Sequence, residues 1–182
     1  PLLLASSSVY RRDLLSRLCL PFSCSSPDID ESHRPGESAV ELVKRLSLEK
    51  ARALAVSHPN HLIIGSDQVA VLDGQIIGKP HTHTKAHQQL TSASGASVSF
   101  LTGLTLLNSR TGHHQTDCIP FTVHMRTLSA EQIERYLLAE QPYDCAGSFK
   151  AEGLGVSLFQ RTEGDDATSL VGLPLIRLVD ML

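Results

Sequence analysis

The sequence predicts an α/β protein, a mixed central sheet flanked by helices, and three observations carry that reading. Short apolar runs such as Leu2–Ala5 and the β-branched-rich Leu62–Leu72 alternate with stretches whose apolar residues recur at helical spacing. Capping signals open two of the helical stretches: S-A-V-E from Ser38 to Glu41, and Ser129 with Gln132 three residues on. No repeat, linker or low-complexity segment divides the 182 residues, so they are read as one domain spanning 1–182.

Leu2–Ala5 reads as a short buried strand. Ser6, Ser7 and Ser8 then occupy a strand-to-helix turn, and the helix that follows sets Val9, Leu14, Leu15 and Leu18 on one side. Residues 22–36 are polar, with Pro27 and Pro35 bracketing Asp28, Asp30 and Glu31, and read as loop. From Ser38 a long amphipathic helix runs through Val40, Val43, Leu46 and Leu54 and ends near Pro59. Leu62–Leu72 is the central strand, and Asp73-Gly74 turns it into a hairpin with residues 75–78. A helix over 84–93 closes at Gly95. Strands over 98–107 and 118–125 follow, joined by the turn-rich N-S-R-T-G. The capped helix from Ser129 runs toward Pro142. After it come a Gly-rich loop, A-G-S-F-K-A-E-G-L-G, a strand over 156–159 and a last helix entered at Pro174.

Composition narrows the function. Sixteen basic against nineteen acidic side chains give a net charge of −3, the wrong sign for a chain held on nucleic acid by counterion release. Aromatic residues make up 4% and Trp is absent, so no platform for stacking successive bases is expected. No run reaches the roughly 18 apolar residues that cross a bilayer. The apolar opening, Pro1 to Ala5, is too short for a signal peptide and has no basic segment before it. The four cysteines form no C-x-x-C pair and no zinc spacing, which fits a reduced, cytoplasmic setting.

Asp67 is the most informative residue: an acid within an apolar strand, where a charge is costly unless paired or bound to metal. It reads either as a structural acid against a Lys or Arg or as a functional carboxylate. Arg11 and Arg12 lie one turn into the first helix, just after the serines. Helix N–H groups, hydroxyls and a guanidinium together suit a phosphate, although the same serines serve equally as plain caps. Lys79 stands in G-K-P, extended by Pro80 and open to a ligand beside Gly78, or simply on a hairpin surface. Glu31 in D-I-D-E and Lys50 in L-E-K-A-R resemble ordinary solvated charges when taken singly. The histidines at 81, 83 and 87 straddle a loop and a helix start without supporting carboxylates or cysteines, so they read as solvated, as do His113 and His114. No Walker loop, dinucleotide fingerprint, H-E-x-x-H or nucleophile elbow is present.

Taken in order, L-A-S-S-S-V-Y-R-R, D-I-D-E, L-E-K-A, I-I-G-S-D-Q-V, G-K-P, Q-L-T-S-A-S-G, D-C-A-G-S-F and V-G-L-P-L resemble the Maf family of nucleotide pyrophosphatases over essentially the whole chain. The resemblance implies a Maf/ITPase-like fold of two lobes with a cleft. It also implies hydrolysis of a nucleoside triphosphate to monophosphate and pyrophosphate with a divalent metal, Mg²⁺ or Mn²⁺, and a homodimer. Three departures stand out. Val9 and Tyr10 replace the proline and first arginine of the usual S-P-R-R, Ser66-Asp67-Gln68 replaces A-D-T, and Glu152 stands where many relatives carry glutamine. These departures resemble the branch that acts on 7-methyl-GTP.

Carried over by residue, the resemblance implies Asp67 as general base or metal-linked carboxylate, Glu31 as a second acid and metal ligand, and Arg11, Lys50 and Lys79 as phosphate ligands. Ser6, Ser8, Tyr10, Gln68 and Glu152 complete the implied substrate contacts. The partner is then a small nucleotide, with neither a nucleic-acid polymer nor a membrane. A preference for dTTP or UTP, or a nucleotide-binding regulator of cell division, are the alternative readings. Asp67, Lys50 and Lys79 together favour the enzyme, because a binder needs no base.

Overall fold

The computed structural model describes residues 1–182, which form a seven-stranded mixed sheet with helices. The strand order is β2 (Phe22–Ser25), β1 (Leu2–Ala5), β3 (Leu62–Leu72), β5 (Ser97–Asn108), β6 (His114–Met125), β7 (Phe159–Glu163), with β4 (Gln75–Ile77) paired to β3. The chain divides into two compact units. The first holds residues 1–68, 101–119 and 166–182; the second holds 69–100 and 120–165.

In the first unit β1 (Leu2–Ala5) lies between two parallel neighbours, β2 (Phe22–Ser25) and the early part of β3 (Leu62–Leu72), with Leu2 in register with Phe22 and Leu62. Side chains alternate between the faces of a strand, and each face here has its own helices. Leu2, Leu4 and Ile64 pack with Leu104 and Leu106 of β5 (Ser97–Asn108) against Leu14 and Leu15 of α1 (Val9–Ser16) and Leu175 and Leu178 of α6 (Leu175–Met181). Leu3, Ala5, Ile63 and Leu107 pack on the other face against Ala51 and Leu54, at the end of α2 (Ala39–Ala53). The helix α2 begins with the predicted capping box: Ser38 Oγ accepts from the Glu41 N–H, and Glu41 accepts from the Ser38 N–H.

The approach of α2 to the sheet is set by two glycines. A Cβ at Gly65 of β3 would lie 1.9 Å from the Ser47 carbonyl oxygen, and one at Gly103 of β5 would lie 2.0 Å from that of Val43. Helix backbone therefore rests directly on strand backbone, a distance no other residue permits.

In the second unit the end of β3 turns through Asp73 and Gly74, both at positive φ, into the antiparallel β4 (Gln75–Ile77), as Asp-Gly predicts. The helices α3 (His83–Ala93) and α4 (Ala130–Glu140) follow, the second with its Ser129–Gln132 capping box. The sheet continues through the later part of β6 (His114–Met125) to the antiparallel edge strand β7 (Phe159–Glu163). Phe149 packs edge-to-face against both Phe100 and Phe159 at centroid distances of 5.3 and 5.0 Å, a geometry that suits the ring quadrupoles.

Four expectations are corrected. Residues 22–25 form β2 rather than loop: the strand lies on the sheet edge, so Ser23, Cys24 and Ser25 give no apolar pattern, and backbone pairing with β1 holds it together with Phe22 packed on the core. Residues 154–158 form a short 3-10 turn instead of a strand, and β7 begins only at Phe159. A further helix, α5 (Ala167–Val171), precedes α6, capped by Asp166 where the polar D-D-A-T-S disguises it. Val9 and Val40 face solvent, and the inner side of α2 is instead Leu42, Val43, Leu46, Ser47 and Lys50.

The glycine contact yields a direct test. Gly65→Ala should lower the denaturation midpoint by an amount equivalent to roughly 1–3 kcal/mol or more, because the added methyl meets backbone that cannot rotate away. Gly78→Ala, at a position with nothing within 4 Å and no positive φ, should leave it nearly unchanged. Equal midpoints for the two variants in urea titrations would refute the backbone-contact account.

Candidate active site

Gly65 and Asp67 lie two residues apart on β3 and so face the same side, toward α2. Because α2 rests on the strand at Gly65, its next turn brings Lys50 over Asp67, and Lys50 Nζ donates to Asp67 Oδ1 at 2.7 Å. Both are buried, Lys50 at 8% and Asp67 at 7% of full exposure. The costly strand acid thus has its pairing cation in the residue that L-E-K-A brought to notice. Glu31 Oε1 reaches the same ammonium at 3.2 Å from an exposed loop, so two carboxylates converge on one lysine.

The loop that carries Glu31 is pinned to α2 by Arg45, which the sequence reading passed over. Arg45 Nε donates to Glu37 at 2.5 Å, Nη1 to Glu49 at 3.0 Å, and Nη2 to the Ser32 carbonyl at 3.0 Å. Arg45 holds the Glu37 carboxyl down at about 2, well below its ordinary range. Within the loop the Asp30 carboxylate accepts from the Ser32 N–H and hydroxyl, which lowers its own pKa. The only sign of Arg45's role in the sequence is its i, i+4 spacing to Glu49, too common on helix surfaces to single it out.

Arg11 sits on the first turn of α1. Burial pulls its guanidinium below the usual arginine value, while the charges of Asp67 and then Glu31 pull it back up. Its Nε donates to the Gly172 carbonyl at 2.8 Å. Ser6 and Ser8 are used locally: Ser6 Oγ accepts from the Ser8 N–H at 3.0 Å, and Ser8 caps α1 by accepting from the Arg11 N–H at 3.4 Å. Tyr10, on the same turn, is half-buried. Arg12 is exposed and pairs with Asp13.

Gln68 lies next to Asp67 on β3 and is half-buried. Its Nε2 donates to Thr102 Oγ1, the Ser169 carbonyl and the Leu170 carbonyl at 3.0, 2.8 and 3.2 Å. The first unit therefore brings together Arg11, Glu31, Lys50 and Asp67, with Ser6, Ser8 and Tyr10 at the start of α1.

Lys79 and Glu152 belong to the second unit, where both are exposed. Lys79 follows Gly78, whose carbonyl accepts from Gln89 Nε2 at 3.1 Å, and Gln89 Oε1 in turn accepts from the buried Ser148 hydroxyl. Glu152 lies in the loop before Gly153. His83, read as solvated, instead bridges Tyr143 Oη at 2.7 Å and Glu134 at 2.8 Å.

A divalent cation fits the acidic part of this arrangement. Mg²⁺ is commonly held by one or two carboxylates, with substrate phosphates and water completing the shell. Asp67 and Glu31 supply that pair without a third protein ligand, and no denser cluster of His, Cys, Asp and Glu occurs. No helix is long and apolar enough to cross a membrane.

The family profile described as Maf-like protein matches residues 1–182. A 7-methyl-GTP pyrophosphatase of Pseudomonas fluorescens (strain Pf-5) is 81% identical over 182 residues, covering 100% of this chain and 95% of the relative. A protein of the same name from Pseudomonas aeruginosa (strain PAO1) is 71% identical over 181 residues, with 100% and 94% covered. Among solved structures, a HAM1 protein from Coxiella burnetii superposes with a TM-score of 0.51 at 16% identity over 83% of this chain and 87% of that one, a likeness of fold. With its profile matched end to end, and with Asp67, Lys50 and Glu31 drawn together from three separate motifs, the chain belongs to the Maf-like family.

Proposed function

We propose that this chain is a metal-dependent pyrophosphatase that hydrolyses 7-methyl-GTP to 7-methyl-GMP and pyrophosphate. The observation that carries the reading is the Asp67–Lys50–Glu31 cluster, present in a chain aligned end to end with relatives of that name. Hydrolysis at the α-phosphorus needs an oriented water, a proton acceptor and cations on the phosphate oxygens. A bound Mg²⁺ or Mn²⁺ would supply Lewis-acid charge at the phosphates, held by Asp67 and Glu31.

The chain's own residues divide the remaining work. Lys50 occupies Asp67 Oδ1, which leaves Oδ2 as the oxygen to take the proton of the attacking water. As the new bond to the α-phosphorus forms, the bond to the β-bridging oxygen breaks and pyrophosphate departs with its electron pair. The Arg11 guanidinium, desolvated beside these acids, offers a planar fork for phosphate oxygens. Lys50 is the counter-charge of Asp67, and both side chains are buried. Lys79 as a further phosphate ligand rests on its place in G-K-P, and Ser6 and Ser8 on theirs beside the α1 N-terminus.

For the base, methylation at N7 puts a positive charge on guanine and removes an acceptor. A carboxylate at Glu152 and an aromatic face at Tyr10 suit that cation, where an arginine in place of Tyr10 would repel it. The four cysteines show no paired spacing in the sequence, which supports a reducing, cytoplasmic setting. We take residues 1–182 to work as one Maf domain, with a homodimer as the assembly implied by the resemblance.

Three outcomes test this reading. Asp67→Asn, nearly isosteric, should lower kcat by roughly 10²- to 10⁴-fold while the protein stays folded by circular dichroism; near wild-type turnover would remove Asp67 from catalysis. Product analysis should find intact pyrophosphate and monophosphate, with the reaction abolished by chelator and restored by Mg²⁺ or Mn²⁺. Stepwise orthophosphate release would mean a phosphatase instead. Finally, Glu152→Gln and Tyr10→Arg should each reduce kcat/KM for 7-methyl-GTP far more than for GTP. Equal losses, or a wild-type preference for GTP or a pyrimidine triphosphate, would overturn the base assignment and leave the pyrophosphatase reading standing.

A further inference from the structure

Ser66 departs from the family's usual alanine and is fully buried, so its hydroxyl needs a reason to be there. As the neighbour of Asp67 on β3 it faces the opposite side of the sheet, away from α2. Its single hydroxyl hydrogen is shared between the Gly103 carbonyl at 2.9 Å and the Gly172 carbonyl at 3.1 Å. The Gly172 oxygen is the same one that accepts from Arg11 Nε at 2.8 Å. One carbonyl oxygen, with two lone pairs, is thus held between a serine hydroxyl and a guanidinium.

The carbonyl belongs to the residue in this segment least able to hold its own direction. Gly172 has φ of 125°, a region open to glycine alone, and it ends the five-residue α5 with its N–H shared between the Thr168 and Ser169 carbonyls. A Cβ there would sit 3.5 Å from Arg11 Nε, so the position also keeps space for the guanidinium. The segment just before it is tied to the sheet by Thr102 Oγ1 and Gln68 Nε2, both donating to the Ser169 carbonyl.

We propose that Ser66 is a positioning residue for Arg11, acting through the Gly172 carbonyl. By fixing where that oxygen points, Ser66 fixes the Nε end of the guanidinium, and the planar fork then presents its Nη edge in one orientation. The inference rests on the reading of Arg11 as a phosphate ligand.

The test is a double-mutant cycle on the full chain with magnesium, measuring the affinity for inorganic pyrophosphate by calorimetry and the KM for 7-methyl-GTP. Ser66→Ala restores the common family residue and leaves a smaller side chain, so the protein should fold. In the otherwise native chain it should weaken pyrophosphate binding and raise KM by about 3- to 10-fold, the scale of one net hydrogen bond. Arg11→Lys keeps the charge but has no Nε for Gly172. In that background Ser66→Ala should change affinity by less than about 1.5-fold, while its effect on the thermal midpoint stays the same in both backgrounds. Loss of affinity that multiplies in full in the Arg11→Lys background, or no loss in the native one, would overturn the positioning role. If Arg11→Lys alone binds pyrophosphate as well as the native chain, Arg11 is not a phosphate ligand, and the inference falls together with that part of the proposed function.

Discussion

Everything at the candidate site depends on α2 lying in backbone contact with β3 and β5. Where a helix packs on a sheet through ordinary side chains, those side chains fill the interface and a lysine on the helix has no need to meet an acid on the strand. Gly65 and Gly103 remove that layer. Ser47, at the contact point, is small, and its hydroxyl is satisfied by Thr105, so the polar groups exposed by so close an approach are paired. Lys50, less than one turn further along, then reaches Asp67 without stretching. The close approach and the ion pair are two views of one packing decision.

A buried ion pair of this kind is a poor source of stability and a good source of chemistry. Desolvating two charges offsets most of their attraction, yet removing one partner leaves the other uncompensated, at a cost of about 3–5 kcal/mol. The pair is therefore fragile to single substitutions and unrewarding as scaffolding. Arg45 is a contrasting case. It meets Glu37 and Glu49, lowers the Glu37 pKa, and its contribution is to keep an exposed loop in one place so that Glu31 stays within reach of Lys50.

The sequence made the central features legible where local physics decides them. Capping boxes at Ser38 and Ser129, the Asp73-Gly74 hairpin and the apolar strands are written in short patterns and reappear in the structure at nearly the same residues. Asp67 stood out because an acid in an apolar strand needs an account. What escaped was held by distant partners. Residues 22–25 are a strand because β1 offers an edge, and α5 exists because Asp166 caps it and also accepts from the Ile176 N–H of the next helix. The Gln68 Nε2 donates to carbonyls a hundred residues away along the chain. No periodicity or spacing reports such contacts.

The alternation along β3 makes the strand a ruler as well as a scaffold. Ile63, Gly65 and Asp67 address α2, while Ile64, Ser66 and Gln68 address α1, α5 and α6. A shift of one residue in its pairing would turn Asp67 to the wrong face and press a serine into the space that only glycine fits. Insertions and deletions should therefore be excluded from residues 62–68 far more strictly than hydrophobicity alone requires. The Asp73-Gly74 turn is where this strand ends and stops keeping count for two helical layers at once.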